Sequence, residues 1–535
     1  MRSALETFAT CGGGVRSTLG AVAAGALLAL AAPPIDAWVL GFVALVPLLL
    51  AIRTATPGRA FALGFLAGVV AHGASQAWWW PVVERFTDLP RPAAASVATL
   101  IVSSEALVLG IWAALARWWV RRFGVTWLLA APLSLAIVES TVPSLFRWHL
   151  GVVLWRSWGL TQVAELGGAA AVSALVAAGN SIVAEGLSTG GRRVFARADL
   201  TAAVLVLAAV VSGGLLRSQA VEGAVAEAKR IRVGLLQPNF PALSREERGR
   251  HSAAMLRTLR EGTRRLARDG ADLIAWPEVG WPFFLDRDLT RMFPEGHPWS
   301  LGSWGASRLV IGAATHQFGT TLLYNSALLV APSGDIEGRY DKQRLLALAE
   351  YVPFERRFPR WGETVWRHLR DRHSMTPGEN AQILLAGPVR AGVLLCSEEL
   401  YPDLAARRYQ DGANLLLGMS NDSWFASRAA AHQHLALAVF RAIETRRALV
   451  HVTTSGVSAV IDPLGRVRTQ IPWLEVSGVA GQEPSLVVSE VTLVETAALG
   501  PTTVRYFWLG CLAVLILAIP AEKARSDRAR RRRQR

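Results

Sequence analysis

The chain has 535 residues, too many for one ordinary domain, and at 52% hydrophobic and 18% charged it is too apolar for an ordinary soluble protein. Three cysteines exclude a disulfide framework. The formal charge of +15 permits a nucleic-acid reading, but much of the excess is the terminal "EKARSDRARRRRQR", directly after the apolar run Phe507 to Ile519, where basic residues set orientation and meet anionic lipid.

Residues 1–218 read as a transmembrane domain of about seven spans, near 17–34, 37–52, 60–80, 93–117, 124–140, 161–187 and 199–216. Several are shorter than the ~20 residues that cross a bilayer comfortably. The stretch 124–160 allows one span plus a re-entrant piece around "FRWHLGVVLWRSWG". The first apolar run also fits a signal peptide, but similar segments keep following it. Arginines cluster after the second span (Arg53, Arg59), the fourth (Arg117, Arg121, Arg122) and the sixth (Arg192, Arg193, Arg197), while Arg85 and Arg91 are offset by Glu84 and Asp88. By the positive-inside rule these connectors and the N-terminus are cytoplasmic, seven spans deliver the chain to the outer face, and an eighth near 503–520 returns the basic tail 521–535 inside. Trp78 to Trp80 fit an outer interfacial belt.

Residues 229–495 regain charge and turn signals. "IRVGLLQ" reads as a strand, followed by a helix through "REERGRHSAAMLRTLREGTRRLARD"; "DLIAWPE" and "SRLVIGAAT" are strands, and "LLYNSALLVAPSGDIEGRYDK" is a hairpin turning at Ser333–Asp335. "ANLLLGMS" is a strand, "AAHQHLALAVFRAIETRRA" a helix and "LVHVTTSGVSAVIDPLGRV" another hairpin. Strands mixed with helices over this length predict a layered α/β domain.

Cys11 lies in the N-terminal tail and Cys511 in a late apolar run, so Cys396 is the one cysteine in a polar setting. It ends the apolar run Gly392 to Leu395, before "SEELYPDLAARR", and a helix beginning near Glu399 would lower its pKa. A nucleophile needs a base and a partner for negative charge on the attacked oxygen. Glu278 ends "LIAWPE" and Lys342 ends the hairpin arm "GRYDK". Singly, each has a bland explanation in core packing or surface exposure; the ordered set Glu, Lys, Cys at three strand ends is more specific.

That set, in "AWPE", "YDK" and "LLCSEELYPDL", resembles the Glu-Lys-Cys triad of the nitrilase, or carbon–nitrogen hydrolase, superfamily. With spans before and after the domain, and with "LAEYVPFE" at 348–355, "SNDSWF" at 420–425, "HQH" at 432–434 and "GVSAVIDPLG" at 456–465, nearly the whole chain resembles the membrane-embedded apolipoprotein N-acyltransferase family. The resemblance implies an α-β-β-α sandwich. It implies Glu278 as general base, Lys342 as oxyanion stabiliser and Cys396 as nucleophile, with Glu350 and Glu398 in support. Trp276, Tyr324, Asn325, Asn421, Asp422 and Trp424 are weaker candidates for shaping the substrate site. The chain departs from the family pattern at "LALAE" before Glu350 and at Ser397, where a tyrosine is usual.

The reaction so implied takes an acyl chain from the sn-1 position of a phospholipid onto Cys396 and passes it to the α-amino group of a lipoprotein's diacylglyceryl-cysteine. The enzyme would sit in the bacterial plasma membrane with its catalytic domain on the outer or periplasmic face. Two alternatives remain at this point: a membrane-tethered amidase with water as acceptor, and an inactive membrane scaffold. No cofactor or metal is expected; in "HQH" two histidines at i and i+2 of a helix point apart.

Overall fold

The computed structural model describes residues 2–189, 194–369, 374–379, 382–476, 478 and 483–534, with backbone alone for 2–13, 189, 194–197, 245 and 521–534. Arg192, Arg193 and the side chains of Cys11, Arg197 and the basic tail lie outside the described residues. The chain divides into two compact units: Met1–Ala77, Ala98–Ser218 and Thr502–Arg535 form the first, Trp78–Val97 and Gln219–Pro501 the second.

Among the described residues, five helices are long and apolar enough to cross a membrane: Gly14–Ala31, Arg91–Phe123, Ala164–Ser188, Ala198–Glu227 and Gly500–Pro520. Pro57–Ser75 and Trp79–Phe86, bent by 68°, make a sixth if they form one broken span. The apolar helices Trp38–Ile52 and Trp127–Thr141 are shorter. After Trp127–Thr141 the chain does not stay helical, and buried carboxylates satisfy the freed backbone. Glu105 Oε1 accepts from the amides of Leu145 (2.8 Å) and Phe146 (3.0 Å). Glu139 accepts from the amide of Leu150 (2.8 Å) and lies 3.1 Å from His149 Nδ1. Non-helical backbone in an apolar setting persists only where protein groups replace water in this way. Of the three tryptophans assigned to an interfacial belt, Trp78 and Trp79 are buried in the second unit, and Trp78 Nε1 donates to Gln433 Oε1 at 3.0 Å.

The second unit is built on two sheets. The first uses β1 (Lys229–Gln237), β2 (Leu273–Ala275), β3 (Leu285–Asp286), β4 (Arg308–His316), β5 (Leu323–Val330), β6 (Ile336–Asp341) and the late strand β13 (Ser485–Leu493). Its order is β13-β1-β2-β4-β5-β6, with β3 beside β4. The second uses β7 (Leu384–Ala386), β8 (Val389–Leu395), β9 (Leu415–Ser420), β10 (Ala448–Thr453), β11 (Ser458–Ile461) and β12 (Val467–Ile471), in the order β12-β11-β10-β9-β8-β7. Strands β8, β9 and β10 are parallel, and the flanking pairs antiparallel.

Alternation along the strands produces the layers. Val310 on β4 joins Val393, Leu417 and Val450 of the other sheet in one buried cluster, while its neighbours Leu309 and Ile311 join Met255, Leu256 and Leu259 of the helix Arg245–Arg268. Each such side chain contributes about 1.5–3 kcal/mol on burial. That helix starts at a capping box, with Ser244 Oγ accepting from the Glu247 amide (3.3 Å) and Glu247 Oε2 from the Ser244 amide (2.8 Å). The helices Pro402–Gln410 and Arg428–Thr445 pack on β8 and β10, completing the α-β-β-α sandwich. In "LVHVTTSGVSAVIDPLGRV" β10 and β11 form the expected hairpin, and β12, which begins at its last residue, extends it antiparallel into a meander.

Candidate active site

Four strand ends converge on one buried cluster. Glu278 follows β2 by three residues, Lys342 follows β6, Cys396 follows β8 and Asn421 follows β9. Lys342 Nζ lies 3.1 Å from Glu278 Oε1 and 3.0 Å from Glu350. Asn325, on β5 beside the Lys342 hairpin, donates through Nδ2 to Glu278 Oε1 (2.7 Å) and Glu350 Oε1 (3.0 Å). The Asn421 amide donates to Glu278 Oε2 at 3.1 Å. Glu350 Oε2 accepts from the Leu346 amide at 2.7 Å, which closes the "LALAE" turn on the cluster. Glu278 can approach this closely because β4 carries Gly312, where a Cβ would collide with Pro277 O and crowd Glu278 Cα.

Burial opposes charge on Lys342, but Glu278 and Glu350 outweigh it and raise its pKa well above the usual lysine value. It is therefore a fixed cation. Cys396 behaves otherwise than the sequence predicts. Burial, then Glu278, push its thiol well above the ordinary value; Lys342 pulls against them. The expected helix start is displaced: Cys396–Leu400 is a 3-10 turn, the next helix starts at Pro402, and Cys396 sits in the left-handed region at φ +50°. A β-carbon-bearing residue in that region stores about 1–3 kcal/mol, a cost found at functional turns. Cys396 therefore rests as a thiol, and Glu278 is the carboxylate that its titration senses most.

Glu398 lies beneath the site. Its carboxylate accepts from Tyr340 Oη, from the amides of Gln343 (2.8 Å) and Arg344 (3.0 Å) and from the Leu395 amide (2.9 Å), so it ties the chain after Lys342 to the chain before Cys396. Arg408, fully buried, braces the same point through Tyr340 Oη (2.8 Å) and Val393 O (3.0 Å).

The weaker candidates divide. Asn325 and Asn421 hold Glu278. Tyr324 is buried with the Arg287 guanidinium 4.2 Å over its ring. Trp424 packs on Phe86 at 4.8 Å. The Trp276 ring is fully buried in the core under the helix Arg245–Arg268, with Nε1 donating to Thr263 Oγ1 (2.9 Å). Asp422 takes the Ser420 hydroxyl (2.7 Å) and lies 2.9 Å from His434 Nδ1, and its charge is felt at Cys396. Sequence reasoning missed Glu399, His434, His451 and Arg408. Glu399 stands next to Glu398 and His434 lies in "HQH", but nothing in their spacing announces that they meet. Among the described residues, Glu399, His434 and His451 bring ligand-type atoms within 4.8 Å of one another. His432 Nδ1 lies 2.8 Å from Arg428 O.

A sandwich with a glutamate, a lysine and a cysteine at its strand ends, behind a set of apolar helices, defines a membrane-associated acyl-transferring enzyme of the carbon–nitrogen hydrolase class. The Carbon-nitrogen hydrolase family model matches residues 232–496, and the Apolipoprotein N-acyltransferase N-terminal domain model matches residues 24–182. The chain is 31% identical over 485 residues to apolipoprotein N-acyltransferase of Gloeobacter violaceus, covering 86% of each chain. It is 29% identical over 477 residues to that of Geobacter metallireducens, covering 87% of this chain and 89% of that one. It is 28% identical over 535 residues to that of Azotobacter vinelandii, covering 95% of each. The chain belongs to the apolipoprotein N-acyltransferase family.

Proposed function

We propose that the protein moves an acyl chain from the sn-1 position of a phospholipid, through a thioester on Cys396, to the α-amino group of a lipoprotein's N-terminal diacylglyceryl-cysteine. The observation that carries this reading is the buried lysine: Lys342 is held charged by Glu278 and Glu350, in reach of a buried, protonated cysteine.

Glu278 takes the thiol proton as sulfur attacks the ester carbonyl. Lys342 balances the oxyanion of the tetrahedral intermediate. Collapse expels the lysophospholipid alkoxide, which recovers the proton from Glu278 and leaves the thioester. The acceptor amine then attacks the same carbonyl, Glu278 takes its proton, and collapse forms the amide while the leaving sulfur is reprotonated. Glu350, Glu398, Asn325 and Asn421 position these groups. The N-terminal domain 1–218 and the helix near 503–520 anchor the catalytic domain 229–495 in a bacterial plasma membrane, on whose outer face both lipid substrates are presented; the basic tail lies inside.

The test is incubation of purified protein with a phospholipid carrying a mass-labelled sn-1 chain, followed by peptide mass mapping. The label is expected on Cys396, to be discharged as N-acyl product by a diacylglyceryl peptide. Free fatty acid without N-acyl product makes water the acceptor and ends this reading, as does the absence of any acyl chain on Cys396.

A further inference from the structure

A second charged cluster lies beside the triad, and the chemistry above does not use it. His434, from the helix Arg428–Thr445, stands between two carboxylates: Nδ1 is 2.9 Å from Asp422 Oδ1 and Nε2 is 3.3 Å from Glu399 Oε2. The other oxygen of Glu399 lies 2.9 Å from His451 Nδ1, and the two imidazoles meet edge-on at 5.2 Å between centroids. Glu399 and His451 are fully buried. β9 carries Gly418 where any Cβ would collide with Glu399 Oε1, so the strand is shaped to admit this carboxylate.

The two carboxylates belong to the two turns that matter. Glu399 is in the 3-10 turn that opens with Cys396. Asp422 follows Asn421, whose amide holds Glu278. Strands β8 and β9 are paired up to Leu395 and Met419, and beyond that register their ladder no longer fixes the turns to each other. His434 bridges them there. It also faces a charge problem: Asp422 disfavours the Cys396 thiolate, and a cation against Asp422 offsets it.

We propose that His434, clasped between Asp422 and Glu399, is a positioning residue that locks the Cys396 turn to the Asn421 turn and so keeps nucleophile and base aligned. This rests on the reading of Cys396 as the nucleophile. His434 touches no reacting atom; it acts through Glu399 and Asp422, and His451 fixes the far side of Glu399. The charged and titratable groups facing the two centres are Glu278, Lys342 and Asp422 around Cys396, and Asp422, Glu399 and His451 around His434, with Arg441 donating to Glu399 O.

The experiment compares wild type, Cys396→Ala, His434→Gln and Asp422→Asn/His434→Gln, purified in detergent, with two readouts. One is the rate of Cys396 acylation from a mass-labelled phospholipid; the other is the pH profile of Cys396 alkylation by iodoacetamide. His434→Gln is expected to slow acylation at saturating phospholipid about a hundredfold, the scale of a small misplacement of reacting groups, at an unchanged half-saturating concentration. Its alkylation midpoint is expected to move to higher pH. The double variant, which removes the carboxylate together with the cation, is expected to regain the wild-type midpoint while acylation stays slow. Should His434→Gln fail to fold, the double variant carries the test. Wild-type acylation in either variant, or an alkylation profile in His434→Gln that matches wild type, overturns the positioning role. A wild type that acquires no acyl chain, like Cys396→Ala, overturns instead the reading of the site on which it rests.

Discussion

At the residue scale the site is a problem of buried charge. Lys342 is 1% exposed and lies against two carboxylates. Replacing it with methionine keeps the volume but strands Glu278 and Glu350 without their cation. Breaking a buried pair from one side costs on the order of 3–5 kcal/mol, and losing one oxyanion partner costs about 10²–10³ in rate. Lys342→Met is thus expected to melt earlier and, at matched folded protein, to acylate Cys396 more slowly by that factor; equal rates by mass spectrometry would remove Lys342 from the chemistry. Gly312→Ala probes the same geometry without touching a charge. Its Cβ drives into Pro277 O, so either β4 shifts or the Glu278 turn moves, at about 1–3 kcal/mol. The expectation is a lower melting temperature with slow acylation. The meeting of Glu278, Lys342 and Cys396 was legible because each follows a strand whose hydrophobic pattern is plain. The roles of Glu398 and Glu399 were not: two adjacent acids look alike in sequence, and only the 3-10 turn sends one to Tyr340 and the other to His434.

At the scale of elements, legibility followed the range of the interaction. The helix from Arg245 and the hairpin at Ser333–Asp335 are written locally, in a capping box and a turn signal. β13 was not, because its nine residues gain their meaning only from pairing with β1, with Lys229 opposite Leu493. The helix expected near Glu399 starts three residues later, because Pro402, which fits the first turn of a helix, sets its beginning and Cys396–Leu400 stays a 3-10 turn. The clasp between these elements has a pH signature. Burial opposes the Glu399 carboxylate, but His451 and His434 hold its pKa down to about 2. Its contribution is present above the unfolded carboxylate pKa, about 4.3, and is lost as pH falls through about 2. Burial likewise opposes the His434 cation, but Asp422 and Glu399 raise its pKa well above 6.5. Its contribution is complete below about pH 6.5 and is lost as pH rises through the raised folded value. The melting temperature of wild type is therefore expected to fall with rising pH above about 6.5 more steeply than that of His434→Gln. Parallel slopes in a thermal scan from pH 5 to 9 would show that His434 is not held as a cation.

At the scale of the whole molecule, function depends on parity. The domain is entered from the helix Ala198–Glu227 and left into Gly500–Pro520, both long and apolar enough to cross, so it lies on one face of the membrane. Which face depends on the apolar helices Trp38–Ile52 and Trp127–Thr141. At 15 residues, the second spans only about 22 Å, against a hydrocarbon core of about 30 Å. With the N-terminus inside and the bent pair Pro57–Ser75 and Trp79–Phe86 counted as one span, the domain faces the cytoplasm if just one of the two crosses and outward if both or neither do. The arginines decide between these cases. Arg53 and Arg59 follow the first short helix, and Arg117, Arg121 and Arg122 follow two crossings later. Both groups are cytoplasmic only if the first short helix crosses, and Arg192, Arg193 and Arg197 are so only if the second also does. Crossing by so short a helix is accommodated by local thinning of the bilayer at a modest cost. Both helices are therefore expected to span. A periplasmic-activity reporter inserted in the exposed turn at Ser333 should be active, while the same reporter after residue 535 or in the connector 124–126, just past Arg121, should be silent. Activity at Arg121 would show that the first short helix turns back. Silence at Ser333 with silence at Arg121 would place the break at Trp127–Thr141 and put the domain on the face opposite to the one proposed.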